Sequence, residues 1–266
     1  MVSICWSPSI GSSLLYRLVL AVKERLVTRV SLEHGLTAQL RKSRDHLGVA
    51  DICYCYDINS PDDWRCRIKD GVKMMKLFEK RRQLFASSAK ALCLWRKKAF
   101  YYTKMSDEVT RLFSLPVYVW PKSKMPSRLQ VCIEQSGVAS LVTISVPCLF
   151  SPKLSGRFML LLDSQEQLEA LLERMDDVEK HLSELQMNIV INYGDKINPL
   201  VDYNIVTPVS ALVLGYLASG EDREDVSRKL KLTMRGVDYH ISQLKQVLGA
   251  KTIAQLIYQA GLCRLV

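Results

Sequence analysis

The sequence predicts an α+β N-terminal domain, with helices around a small antiparallel sheet, followed by an all-α C-terminal domain of four helices. A chain of 266 residues is long enough for two hydrophobic cores. Two short stretches with strand character lie close together between residues 139 and 162, among several helical stretches. From residue 205 onward, only very short breaks interrupt a helical spacing of apolar residues. We therefore predict an N-terminal domain at residues 1–192, a linker at 193–204 and a C-terminal domain at 205–266.

The composition is that of a folded globular protein, with 48% hydrophobic and 24% charged residues. The formal net charge of +10 is compatible with a polyanionic partner. The excess positive charge lies in residues 65–104, where only Asp70 and Glu79 oppose thirteen basic side chains. We interpret this stretch either as solvated helical faces or as a surface for an acidic partner or phosphate.

The first 115 residues contain signals for several helices and one strand. Residues 11–47 have the spacing of two helices, and residues 49–58 alternate as in a strand. Ser60 followed by Pro61 is typical of a helix start, and more helical stretches extend to residue 115.

The next stretch supplies the rest of the predicted sheet. A helix is predicted at residues 127–135, with Gly137 as its C-cap. Two strands follow at 139–146 and 157–162, joined by a turn at 151–156.

Residues 165–192 predict one long helix. Seven apolar residues alternate at spacings of three and four, which we call the apolar row: Leu168, Leu171, Met175, Val178, Leu182, Leu185 and Ile189. Two interpretations stay open, because such a row packs either on the sheet of its own domain or against a second chain in a dimer.

The N-terminus does not predict export. Residues 10–22 are apolar, but Arg17 interrupts them and no cleavage pattern follows. No apolar run approaches the roughly 20 residues that a membrane span needs. The eight cysteines are scattered and lack metal-site spacing. We therefore expect a cytoplasmic protein with reduced thiols, no bound metal, no cofactor and no membrane partner.

The C-terminal segment predicts a helix-turn-helix. One face of a helix carries four apolar residues, and the helix before it carries two more: Val237, Ile241, Leu244 and Leu248, preceded by Val226 and Leu230. Thr233 is a good N-cap for the second of these helices, and the turn between the two is very short. In a helix-turn-helix the second helix enters the major groove of DNA.

This segment resembles the LuxR/GerE-type DNA-binding domain. The resemblance rests on short motifs at the family's spacing, namely Val206-Thr207-Pro208, Ala218-Ser219-Gly220, Leu232 to Val237, and Leu248-Gly249. The sequence departs from the family at Ser210, Lys231 and Gly236, where the family has glutamate, glycine and threonine. The resemblance implies duplex DNA as a partner, a homodimer or a heterodimer with a related regulator, and RNA polymerase as a further candidate partner.

Eight residues of this segment are candidate DNA contacts. Five are placed to hold phosphates, namely Arg228, Lys229, Thr233, Arg235 and Lys245. Asp238, Tyr239 and Ser242 lie on the predicted outer face of the second helix and are candidates for base edges. For each of them, the alternative is an ordinary solvated helix surface.

The N-terminal region is similar to the acyl-homoserine-lactone-binding domain of the LuxR family, a sensor domain. The similarity lies in GVASLVTISVP at residues 137–147 and SPDDW at residues 60–64. Where the family has a tyrosine and an aspartate for its ligand, this chain has Ile68 and Leu77, and Leu141 replaces a glycine. A buried amide that faces leucine loses a charge-assisted hydrogen bond of about 1.5–3 kcal/mol.

Seven side chains are candidates for lining a ligand pocket: Tyr54, Tyr56, Trp64, Ile68, Leu77, Trp95 and Trp120. Ordinary core packing is the alternative for the aromatic ones. The domain is either a sensor for a different ligand or a dimerisation or docking module, and the losses at Ile68 and Leu77 favour the module.

The sequence shows no catalytic constellation. The four histidines, His34, His46, His181 and His240, lie beside no serine or cysteine motif, and no glycine-rich phosphate loop is present. We therefore predict a dimeric DNA-binding transcriptional regulator without enzymatic activity and without a response to ordinary acyl-homoserine lactones. The alternative is a ligand-responsive quorum-sensing regulator of the same type.

Overall fold

The computed structural model describes residues 30–64, 71–81 and 83–266. The first predicted helix and the segment tested for an export signal lie outside these residues. Residues 30–47 are helical and form α1, as predicted for the second helix. Among the described residues, no helix combines the length and the apolar character that crossing a membrane requires.

The N-terminal region is built on a five-stranded antiparallel sheet in the order β2-β1-β5-β4-β3. The strands are β1 (Asp51–Ile58), β2 (Phe85–Ala86), β3 (Val117–Val119), β4 (Ser140–Pro147) and β5 (Leu154–Leu162). The helices that surround it are α1, α2 (Gly71–Glu79), α3 (Ala89–Ala99), α4 (Ser106–Ser114), α5 (Ser127–Gln135), α6 (Gln165–Glu173) and α7 (Met175–Tyr193). The predicted α+β class is confirmed.

The helix predicted to start at Ser60 is shorter in the structure. Pro61–Trp64 is a single 3-10 turn, and the Ser60 hydroxyl accepts from the Asp62 amide at 3.2 Å. Ser60 therefore has the expected capping contact, at the start of one turn only.

Strand β5 begins at Leu154, inside the predicted turn at 151–156. Ser155 and Gly156, which lie in the predicted turn, pair with Asp57 and Tyr56 of β1. A Cβ at position 156 would overlap the side-chain amide of Gln186, so a larger residue there would force that side chain to move. The glycine therefore permits a close helix–strand approach rather than a turn.

The predicted long helix at 165–192 is broken into α6 and α7 at Arg174, whose φ of −111° and ψ of 33° are not helical. The Arg174 guanidinium donates to the carbonyl of Leu47, at the end of α1. The apolar row is buried in this single chain, apart from the half-buried Met175. The apolar row therefore packs within the chain, which favours the first of the two interpretations.

Two layers of helices cover the two faces of the sheet. Tyr54, Tyr56 and Phe158 lie on the same face of the sheet. On this face Gly156 of β5 contacts the side chain of Gln186 in α7. Helix α1 packs on α7, where Ser43 Oγ lies 3.0 Å from His181 Nε2. The other face contacts α3 and α4, and it carries the polar residues described below.

Four helices form the C-terminal region, as predicted: α9 (Pro208–Ala218), α10 (Arg223–Leu230), α11 (Met234–Leu248) and α12 (Ile253–Leu262). Each begins after a side-chain N-cap, provided by Thr207, Asp222, Thr233 and Thr252. Their shared core contains Leu214, Val226, Val237, Ile241, Leu244 and Leu256.

Residues 193–204, predicted as a linker, include the short helix α8 (Pro199–Asp202). Asn198 caps α8, and its amide nitrogen donates to the carbonyls of Cys263 and Arg264 at 2.7 and 3.0 Å. Ile197, Leu200 and Tyr203 are buried. This segment is therefore packed between the sheet region and the end of α12.

Candidate nucleic-acid interface and buried cavity

The outer face of α11 carries the predicted base-contacting residues. Its inner face buries Val237, Ile241 and Leu244. Asp238, Tyr239 and Ser242 are exposed on the other side, and Tyr239 is 60% exposed. The predicted phosphate contact Arg235 is also exposed, and Lys245 is half-buried. The structure thus brings these five residues onto one helix surface.

The start of α11 is fixed by Thr233, whose hydroxyl oxygen accepts from the Gly236 amide at 3.0 Å. A Cβ at Gly236 would lie 3.3 Å from Thr233 Oγ1, which is a tight contact. Gly236 therefore suits this cap, although glycine weakens a helix interior by about 1 kcal/mol relative to alanine. The Thr233 hydroxyl oxygen is used by the cap, while its proton is available to another acceptor.

The turn between α10 and α11 passes through Lys231, which has the left-handed conformation with φ 54° and ψ 40°. A residue with a Cβ pays roughly 1–2 kcal/mol to adopt this conformation, and glycine does not. Glycine at this position, which the resemblance implies, would fit this turn without the steric cost.

Three basic side chains of α10 already have acidic partners. Arg228 contacts Asp225 at 2.8 Å, and Lys229 contacts Glu221 at 2.5 Å. Arg223, which the sequence did not single out, contacts Asp238 at 2.9 Å. The basic side chain of each pair is at least half exposed, so all three pairs contribute little to stability and can exchange their partners readily.

Arg235 and Lys245 differ from those three residues. Within the described ranges, neither forms an ion pair. Their charges are therefore free to face a phosphate, whereas Arg228 and Lys229 would first leave a carboxylate. The carboxylate of Asp238 is paired with Arg223. A contact between Asp238 and a base would therefore compete with this ion pair.

Ser210, which stands where the family has glutamate, joins two helices. Its hydroxyl lies 2.8 Å from Thr207 Oγ1 and 3.0 Å from Nδ1 of His240. His240 on α11 is thereby connected to the N-cap of α9. These contacts give His240 a structural role, because they connect the middle of α11 to the start of α9.

The predicted pocket residues do not converge on one cavity. Tyr54 and Tyr56 lie on the α7 side of the sheet, where Tyr56 Oη lies 3.3 Å from Cys148 Sγ. Trp95 lies on the opposite side, and its indole donates to Tyr102 Oη at 3.3 Å. Leu77 is half-buried outside the cavity lining.

Trp120 lies beside Lys98, as described below, and the two other predicted pocket residues, Trp64 and Ile68, have different outcomes. Ile68 lies outside the described residues. Trp64 is fully buried, and its indole nitrogen has no hydrogen-bond partner among the described residues. Trp64 is therefore a core residue in this structure.

A small cavity lies between the sheet and helices α3 and α4. Its volume is about 20 Å³, enough for about one or two water molecules. Aromatic walls come from Trp95, Tyr102 and Phe113. Its polar wall includes Asp57, Arg81, Lys98, Thr143, Arg157 and Tyr203.

Asp57 is the centre of a buried ion cluster beside this cavity. Arg81 Nη2 donates to its carboxylate at 2.5 Å, Arg157 Nε at 2.9 Å and Tyr203 Oη at 3.0 Å. Burial opposes ionisation of Asp57, but the charges of Arg81 and Arg157 outweigh it and hold its pKa below the ordinary value. The carboxylate is therefore ionised and fully paired.

Arg157 is held from several sides. Its guanidinium also donates to Ser145 Oγ at 2.7 Å and to the carbonyls of Ile58 and Asn59 at 3.1 Å. These bonds fix the edge of the cavity to the ends of β1 and β4.

Lys98 is 1% exposed and also lines the cavity. Its Nζ lies 3.6 Å from the centroid of the Trp120 ring. The Trp120 indole is itself fixed by a bond of 2.8 Å to Thr143 Oγ1. Burial lowers the pKa of Lys98 to about 7, which the neighbouring Cys53 and Cys55 thiols offset only in part.

The sequence interpretation of residues 65–104 as solvated faces is wrong for Arg81 and Lys98, because both side chains are buried. Asp57 and Arg157 were also missed. A charge inside an apolar strand such as DICYCYDI or LSGRFMLLL is the signal that could have indicated them, because buried charges need partners.

Comparisons with known proteins place the C-terminal segment. Residues 206–260 match the family described as bacterial regulatory proteins, luxR family. No curated protein sequence matches the chain.

Two solved structures are similar to the chain at low identity. Escherichia coli SdiA is 12% identical over 92% of this chain and 98% of that chain, with a TM-score of 0.41. SdiA in complex with octanoyl-rac-glycerol is 12% identical over 97% of both chains, with a TM-score of 0.37.

Proposed function

We propose that the protein is a transcription regulator that binds duplex DNA as a dimer, because residues 206–260 match the family described as bacterial regulatory proteins, luxR family. The observation that carries the proposal is the helix-turn-helix of α10 and α11, with a polar, exposed outer face on α11. A helix of this kind fits the major groove and presents side chains to base edges.

Arg235 and Lys245 are the main phosphate contacts in this proposal, because both lack an acidic partner among the described residues. Thr233 assists at the start of α11, and Arg228 and Lys229 contribute less because a phosphate must displace Asp225 or Glu221. Asp238, Tyr239 and Ser242 face the bases.

In the proposed dimer, the two chains would pair through surfaces other than the apolar row, because that row is buried within each chain. The exposed apolar side chains of α6 and α7 are Leu172, Met187 and Ile191, and they support pairing through residues 165–192. A homodimer and a heterodimer with a related regulator both fit this surface. RNA polymerase remains a candidate partner of the DNA-bound form.

The N-terminal region, residues 1–192 in our division, acts without the usual lactone signal in this proposal. The cavity of about 20 Å³ has no room for an acyl chain, and Arg81, Lys98 and Arg157 contribute charge to its wall. The alternative, a ligand-responsive regulator, rests on the presence of that cavity. In either case the protein acts on DNA in the cytoplasm and catalyses no reaction.

Selection of bound duplexes from a random pool, with the full-length protein, tests the proposal. We expect an enriched sequence with two half-sites, because a symmetric dimer reads a palindrome. Enrichment of no sequence would contradict sequence-specific binding.

Single variants then test the roles of the side chains. Arg235→Ala should weaken binding to all duplexes and lower the salt slope by about one. Asp238→Ala and Ser242→Ala should instead change the preferred bases. Lys122→Ala, an exposed lysine between β3 and α5, is the matched control and should change neither property. A uniform loss from Asp238→Ala and Ser242→Ala would overturn the assignment of base contacts.

A further inference from the structure

Lys98 differs from the other basic side chains around the cavity. Arg81 and Arg157 both donate to Asp57, and Arg81 Nε also lies 3.9 Å from a carboxylate oxygen of Asp202, so two carboxylates compensate the two guanidinium charges. Among the described residues, Lys98 has neither an ion pair nor a hydrogen bond, and its Nζ lies 3.6 Å from the centroid of the Trp120 ring and 5.8 Å from that of Tyr102. The cavity therefore presents a buried amino group without an anion.

An ammonium group in this position is costly unless a counter-charge reaches it. Removal of an ion from water is strongly unfavourable, and the face of an aromatic ring offsets only part of that penalty. A bound anion beside Nζ would supply the missing charge and a hydrogen bond.

We propose that the cavity binds a small monocarboxylate, whose oxygens pair with Lys98 Nζ. This site goes beyond the proposed DNA binding and does not depend on it.

Size and charge select this class of ligand. The cavity of about 20 Å³ matches formate or acetate, with displacement of about one or two water molecules. A dianion would meet the carboxylate of Asp57, which lines the same cavity. The walls formed by Trp95, Tyr102 and Phe113 suit a short apolar tail.

Thermal unfolding of the full-length protein at pH 6 tests the proposal, with formate and acetate as the probes. Formamide and acetamide have nearly the same shapes without the charge, and sodium chloride matches the ionic strength. We expect the two carboxylates to raise the midpoint by about 2–4 °C, and the amides to have no effect. Equal effects of acetate and acetamide, or no effect of either carboxylate at 50 mM, would overturn the proposal.

Lys98→Met removes the amino group and keeps most of the volume, so it should abolish the acetate effect. Lys97→Met changes the exposed neighbour on α3 and should keep the effect. Stabilisation by acetate that persists in Lys98→Met would place the anion elsewhere and overturn the assignment. If Lys98→Met does not fold, the comparison of acetate with acetamide on the unmodified chain decides the question alone.

Discussion

Asp57 and Lys98 show two outcomes for a buried charge within one cavity wall. Asp57 receives hydrogen bonds from Arg81, Arg157 and Tyr203, and its pKa is lowered despite burial. Lys98 has the Trp120 ring beside it and no acidic partner among the described residues, and burial lowers its pKa to about 7. The hydrogen bonds around Asp57 favour a single arrangement of the strands. Lys98, in contrast, is a group that titrates near neutral pH.

Replacement of Lys98 by methionine should change how stability depends on pH. An unfolded lysine has a pKa of about 10.4, so between pH 7 and that value the unfolded chain binds one more proton than the folded chain. The free energy of unfolding of the native protein should therefore rise relative to that of Lys98→Met, by about 1.4 kcal/mol per pH unit above pH 7.

Urea unfolding at pH 7.0, 7.5, 8.0 and 8.5 measures this difference. The buried thiols, whose pKa values are raised, begin to contribute near pH 8.5, where unfolded thiols titrate. They are present in both proteins, so their contribution cancels from the difference. Parallel curves for the two proteins would show that Lys98 does not titrate in this range.

The helices of the C-terminal region illustrate what the sequence predicts well. Thr233 and the spacing from Val237 to Leu248 predicted α11, and the observed helix is Met234–Leu248. Caps and amphipathic spacing are local signals, and here the packing agrees with both.

Elements that depend on distant contacts were predicted less well. The break at Arg174 depends on the end of α1, and strand β2 is only two residues long. The cavity was missed because Lys98 lies in the run Arg96-Lys97-Lys98, which suggested solvent exposure, while packing against Trp120 decides its burial. A single sequence does not encode such long-range contacts in a readable pattern.

Lys231→Gly should stabilise the C-terminal region by about 1 kcal/mol. Lys231 occupies the left-handed region at the end of α10, where glycine has no steric cost. Lys231→Ala removes the same charge but keeps a Cβ, so it should give little or no gain. Urea unfolding of the three proteins distinguishes the cases, and an equal gain from alanine would attribute the effect to charge.

The C-terminal region is held against the sheet region by specific contacts. Arg264 donates to the carbonyl of Ile191 at 3.0 Å, and Ser151 Oγ lies 3.8 Å from Cys263 Sγ. Asn198 adds its two bonds to the end of α12. The segment that the composition suggested to be a linker is therefore a structural joint between the two regions.

Acyl-homoserine lactones should leave the folding of the full-length protein unchanged. The cavity is too small for an acyl chain, and the apolar Leu77 cannot accept the amide proton of such a ligand. A lactone that binds the native state and is present at a hundred times its Kd would raise the free energy of unfolding by about 2.7 kcal/mol. Thermal unfolding across a panel of acyl lengths checks this, and a clear upward shift with any lactone would contradict it.

Tyr203 belongs to the cavity wall and also lies four residues before Thr207, the N-cap of the first C-terminal helix. Its hydroxyl donates to Asp57 at 3.0 Å, and the Arg81 guanidinium lies 4.6 Å from its ring centroid. An occupant that shifts Tyr203 thus acts on the start of the DNA-binding region. Thermodynamic reciprocity then applies: if the occupant changes the affinity for an operator by some factor, the operator changes the affinity for the occupant by the same factor.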